Sequence, residues 1–393
     1  MGAARRLLLM ASLTAAIVAA GGGLTWLLNP YGATPSRLIN PIFRKIKYDR
    51  LGTPFLLREA RPETVLLGSS RVQMGMRIEQ AERDGVMNAA IQGATLAQIE
   101  KIVDVALLNP RLKRIVWGVD FFAFNATWDA DDPHFDARIA DRPVARIEDT
   151  LISLNALGDG FDMLKRAIKG RARLAPTMAA PAPWPMELIC REYVNDRVDG
   201  LDQAPPARVA IQLGQIVHLY DPYTFSPAML ARFRRIVAKI RARNVDLILF
   251  APPMSQYELE LIRQVGDWDH FEKFKRALAA TAPFLDYAAY NAMAPRDEFY
   301  LQVIHFKADA GHQMLRIMLG LPTSGCGADA RAVAASAIPV NAENIDDALA
   351  RERRMRDEAN LAPNRFAWAA GVAVRQLRAD QAGGVAPTGE SGE

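Results

Sequence analysis

The sequence predicts an α/β protein: a three-layer α/β/α domain around a mostly parallel sheet of about five strands, preceded by one transmembrane helix. Two observations predict this. Short apolar runs of strand length alternate with longer segments at helical spacing, and an uncharged stretch opens the chain. The 393 residues, half of them hydrophobic, suffice for one large core, and no internal repeat divides them.

The N-terminus comes first. Arg5 and Arg6 precede "LLLMASLTAAIVAAGGGLTWLL", residues 7–28, which carries no charge and is long enough to cross a bilayer core. Val18 and Ala20 offer a small-residue cleavage site, the alternative of a removed signal peptide. The apolar run continues past them, and Trp26 suits an interfacial anchor, which favours a retained span over residues 1–30. Arg37, Arg44, Lys45, Lys47 and Arg50 follow it and by charge counting belong in the cytoplasm. Long downstream domains translocate regardless of such charges, so the body is expected outside.

Residues 29–60, opening "NPYGATPSR", read as a connector leading away from the span, drawn as a segment over 31–60. "TVLLG" (64–68) reads as a buried strand and "GVMNAAIQG" (85–93) as a weaker one. "LAQIEKIVDVALLN" (96–109) has helical spacing, "RIVWGVDFF" (114–122) is a third strand, and "VDLILFAPP" (245–253) a fourth. Before that fourth strand, residues 226–244 place Ser226 as N-cap, Pro227 in the first turn, and Leu230, Phe233, Val237 and Ile240 on one face. "PFLDY" (283–287) gives a fifth strand and "ADAGHQMLRIMLG" (308–320) a closing helix, so the domain is drawn over 61–322. Residues 126–224, Pro-bearing, interrupt it as a long insertion expected over the site's edge. Residues 323–393 read as a polar tail with a charged helix near "DDALARERRMRDEAN" and a disordered end.

Composition narrows function. The net charge is +4 and the basic residues are dispersed, which argues against nucleic acid. Cys190 and Cys326 lie far apart and fit either one disulfide or two unpaired thiols. His134, in "DADDPHF", sits in an acidic loop of a common kind rather than a metal site, and His218, His270 and His312 read as structural. "GSSRVQMG" lacks the Gly-Lys-Ser/Thr ending of a phosphate loop. No cofactor and no metal is expected.

Four stretches fall at carboxyl ends of strands or in loops on that side, where open α/β sheets keep reactive groups. They are "GSSRV" with Ser70, "NAAIQGAT" (88–95) with Gly93, "GVDFFAFN" with Asp120, and "VIHFKADAGHQML" with His305. A hydroxyl, an imidazole and a bare glycine amide together are the parts for acyl transfer. Taken singly, Ser70 equally caps a helix, and Gly93 equally serves a tight turn.

In this order and spacing, residues 61–322 resemble the SGNH/GDSL hydrolases, whose fold is the flavodoxin-like three-layer sheet. The resemblance implies Ser70 as nucleophile, His305 as base, and the amides of Ser70 and Gly93 as oxyanion hole. It is nearest to membrane-anchored, exported SGNH-like proteins that accompany membrane-bound O-acyltransferases in decorating cell-surface polysaccharides. It therefore implies a polysaccharide or acyl-ester substrate, such an acyltransferase as partner, and a periplasmic domain on the inner membrane. Two positions depart from the pattern. Asp120 stands where the third block ends in Asn, and an ionised carboxylate cannot donate to an oxyanion. Gln302 stands three before His305, where the family has Asp, and brings no charge to the imidazole; Asp297 and Glu298 are the nearby carboxylates. An esterase or acyltransferase with a Ser–His dyad is expected, with a catalytically impaired binding or accessory subunit as the alternative.

Overall fold

The computed structural model describes residues 3–39, 49–76, 85–128, 132–174, 200–323 and 328–358. Cys190, Cys326 and the end of the tail lie outside them.

Helix α1 (Ala3–Leu28) is long and apolar enough to cross a membrane. Helix α2 (Asp49–Ala60) leads into β1 (Thr64–Leu67), every residue of which is buried. The short α3 (Ser70–Gly75) follows, then β2 (Val86–Asn88) and α4 (Leu96–Ala106). A capping box starts α4: Thr95 Oγ1 accepts from Gln98 N–H, and Gln98 Oε1 from Thr95 N–H. Strand β3 (Arg114–Gly118) comes next, followed by α5 (Pro133–Ile139), α6 (Pro143–Thr150) and α7 (Leu154–Leu174). Then come α8 (Pro206–Ile216) and α9 (Pro227–Ala242), which has Ser226 as N-cap and Pro227 in its first turn. The remainder is β4 (Asp246–Ala251), α10 (Gln256–Val265), α11 (Trp268–Ala279), β5 (Phe284–Asp286), β6 (Tyr300–Gln302), β7 (His305–Phe306), α12 (Ala308–Met318), α13 (Ala330–Ala335), β8 (Ile338–Val340) and α14 (Ile345–Glu358).

The main sheet runs β2-β1-β3-β4-β5-β8, parallel throughout except for β8. Chain order reverses across the β1–β3 pair, the topological switch point at which such sheets place ligands. β1 and β3 are the most buried strands, and Trp117 packs on Phe233 of α9 at 5.2 Å between ring centroids.

Three expectations need correction. The second strand ends at Asn88, not residue 93, because the chain leaves the sheet into a turn in which Gly93 has φ of 59°. The sheet has a sixth strand, β8, which lies antiparallel on β5. Its three residues, with Pro339 at the centre, carry too little pattern to read as a strand, although an edge tolerates proline. And residues 328–358 are no detached tail: Val333, Val340, Ile345 and Leu349 join the one large core. Lys275 of α11, 0% exposed, closes that joint by pairing Asp286 at 2.8 Å and Glu352 of α14 at 2.7 Å.

Candidate active site

Strand β1 delivers the chain to Gly68, whose φ of 151° and crowding exclude a side chain: a Cβ there would lie 2.4 Å from Val72 Cγ2. Ser69 is the N-cap of α3, its hydroxyl accepting from the Arg71 N–H, so Ser70 opens the helix and is freed from capping. Asn88, at the end of β2, donates from Nδ2 to the carbonyls of Val72 and Met76 at 3.0 and 2.8 Å and holds the far end of α3.

The hairpin β6–β7 brings in the imidazole. In its register Gln302 pairs with His305, and the two side chains meet: His305 Nδ1 is 2.8 Å from Gln302 Oε1. His305 Nε2 is 2.9 Å from Ser70 Oγ. With Nδ1–H donating to the amide oxygen, Nε2 remains free to accept from the serine hydroxyl. The hairpin is braced by Ser255, donating to the Val303 carbonyl at 2.8 Å, and by Gln212 Oε1, accepting from Val303 N–H at 3.0 Å. Close backbone approach locks α3 to the next element. A Cβ on Gly311 of α12 would lie 1.9 Å from the Gly75 carbonyl, and one on Gly75 would lie 2.1 Å from the Phe306 ring.

Among the described residues the imidazole has no anionic partner. Its pKa falls to about 4, lowered first by burial and then by the charge of Arg71. Asp297 instead accepts from the Tyr257 hydroxyl at 3.0 Å, and Glu298 pairs with Arg296 at 2.7 Å. The position occupied by aspartate in the resembling pattern is filled here in space, as in sequence, by a neutral amide.

Arg71, next to the serine, is the side chain on which the turn is built. It is 0% exposed, with Nε 3.0 Å from Asp120 Oδ1, and its guanidinium also meets Glu258, the Tyr220 hydroxyl (3.2 Å) and the Pro253 carbonyl (3.4 Å). Glu258, wholly buried in α10, also accepts from the Tyr220 hydroxyl. Asp120, 4% exposed, also lies against Ser69, whose hydroxyl and backbone favour its charged form. Burial raises the pKa of both carboxyls, and Arg71 opposes that rise. Asp120 thus supports the turn that presents Ser70, while the contact that orients His305 comes from Gln302.

The loop after β2 lies over this turn, with Ile91 N–H donating to the Gly68 carbonyl at 3.0 Å and Gly93 two residues beyond. Trp128 closes on it: a Cβ at Gly93 would sit 3.4 Å from the indole ring. Its indole N–H is buried and has no hydrogen-bond partner among the described residues. Trp128, Gln212 and Tyr220 all come from the long 126–224 insertion, where sequence spacing gave no register. No family model matches this chain, and no curated protein does.

Proposed function

We propose that the chain is a membrane-anchored SGNH-like serine esterase or O-acyltransferase acting on acyl esters, acetyl foremost, of a cell-surface polysaccharide. In this reading α1 holds it to the inner membrane, the three-layer domain is periplasmic, and a membrane-bound O-acyltransferase is its partner. The observation that carries the chemistry is the 2.9 Å contact between Ser70 Oγ and His305 Nε2 at the switch point of the sheet.

His305 takes the Ser70 proton as Oγ attacks the ester carbonyl carbon. The Ser70 and Gly93 amides receive the oxyanion, each donor contributing roughly 3 kcal/mol. The C–O bond then breaks, the leaving hydroxyl takes the proton from His305, and an acyl-serine remains. A sugar hydroxyl or water, deprotonated by the same imidazole, attacks the acyl carbon; the bond to Ser70 Oγ breaks and the imidazolium returns its proton to that oxygen. A pKa near 4 keeps His305 neutral, hence a proton acceptor, at ordinary pH.

A fluorophosphonate probe tests this reading. Full-length protein labels, Ser70→Ala abolishes labelling and His305→Ala strongly reduces it. Failure of the wild type to label, with Ser70→Ala still supporting polymer modification in cells, replaces the enzyme with the second reading. That second reading, a binding or accessory subunit on the same fold, is favoured by one observation: Gln302 offers no charge to an imidazolium. Location is tested by a phosphatase fused after residue 358, which is active if the domain is exported and silent if it is cytoplasmic.

A further inference from the structure

Helix α1 is not isolated from the body. Its last turns pack against α7, with Leu28, Met163 and Ala167 buried together and Leu24 and Leu164 beside them. The turn between α6 and α7 reaches further back along the span. A Cβ on Gly22 would lie 3.4 Å from the Ile152 side chain and 3.8 Å from the Leu151 carbonyl. Around that turn the apolar side chains are bare: Val144 is 63% exposed, Ile147 47%, Ile152 48% and Leu154 86%.

The depth of that turn follows from helix geometry. Counted from Leu7, the first residue after Arg5 and Arg6, Gly22 lies about 22 Å along the helix axis. A hydrocarbon core is about 30 Å thick, so Gly22 is still inside it when α1 spans. Trp26, 42% exposed, then stands near the far boundary. Tyr31, whose hydroxyl donates to Asp159 at 2.6 Å, lies just beyond. Whatever touches Gly22 from the side lies at lipid depth.

We propose that the α6–α7 turn is a second membrane contact, with Val144, Ile147, Ile152 and Leu154 seated in the leaflet beside α1. The occupant of this apolar surface is the bilayer because the surface is continuous with the span at Gly22. Glu148, exposed next to Ile147, limits the immersion of α6 to the headgroup boundary, where its carboxylate meets water. Two points of attachment fix the tilt of the body on the membrane, which a single helix on a connector does not. The proposal rests on α1 spanning the bilayer and not on the esterase chemistry.

The test uses the full chain with Cys190→Ser and Cys326→Ser, carrying one new cysteine at a time labelled with a nitrobenzoxadiazole dye. The protein is reconstituted in phosphatidylcholine–phosphatidylglycerol vesicles containing acyl-chain-brominated lipid. Dye at Ile152→Cys and Leu154→Cys is quenched to at least half the extent of dye at Leu13→Cys within α1. Dye at Arg354→Cys, exposed on α14, is not. Quenching at Leu13→Cys with none at Ile152→Cys and Leu154→Cys overturns the second contact and leaves the anchor standing. Self-quenching between labelled copies at residue 152 without lipid quenching assigns the surface to a second protein and also overturns it. An unquenched Leu13→Cys overturns the anchor and this proposal together.

Discussion

A neutral amide behind the imidazole sets the character of the Ser70–His305 pair. In the serine-protease triad, replacing the orienting carboxylate by an amide costs about 10⁴ in kcat, largely by changing the tautomer. Here Gln302 presents its oxygen to Nδ1, so the productive tautomer is kept and only the charge is lost. Gln302→Glu restores the charge at the same reach; it raises the His305 pKa and speeds fluorophosphonate labelling at least tenfold, read from labelling rate against pH. In the wild type the acid limb of that profile falls near pH 4 rather than near the ordinary histidine value of 6.5. The same shift acts on stability. Between pH 6.5 and about 4 the unfolded chain binds a proton at residue 305 that the folded chain does not. Folding stability at this residue is therefore lost as pH falls through that window. Urea titrations from pH 7 to pH 4 give a shallower loss for His305→Gln than for wild type.

At the scale of elements, the placement of α3 decides whether the serine and histidine meet, and it depends on groups outside the dyad. Arg71→Met leaves Asp120 and Glu258 buried with no cation and costs about 3–5 kcal/mol, measured by chemical denaturation. Gly311→Ala cannot be absorbed against the Gly75 carbonyl without a shift of α3. It lowers labelling at Ser70 more than it lowers the denaturation midpoint, which separates misplacement from unfolding. The same elements show what the sequence disclosed. The turns that carry Ser70 and Gly93 were legible because glycines and small polar residues after apolar runs mark strand ends, whereas His305 stood out only through the family resemblance. The Ser226–Pro227 start of α9 was legible because capping is local. The partners of Arg71 were not: Tyr220 and Glu258 lie 149 and 187 residues away, and no periodicity links them. Trp128 and Gln212 reach the site from an insertion without strand–helix rhythm, and β8 is three residues with a central proline.

At the scale of the molecule, the closing segment belongs to the core. Lys275→Ala leaves Asp286 and Glu352 buried with no cation, a loss on the order of 3–5 kcal/mol that denaturation of the full chain measures. Ending the chain at residue 322 removes Val333, Val340 and Leu349 from the core and uncovers the β5 edge, and the expected product is insoluble when expressed without these segments. The sheet is finished by β8, which leaves the ribosome after every other strand of the sheet. Chains fold from the N-terminus as they are made, yet here β5 waits for β8 and Lys275 waits for Glu352. Until β8 and α14 have been made, the nascent domain thus carries an open sheet edge at β5. That interval is when it most needs a holding chaperone, so defects in such a chaperone should strike this chain before they strike one whose sheet closes in sequence order.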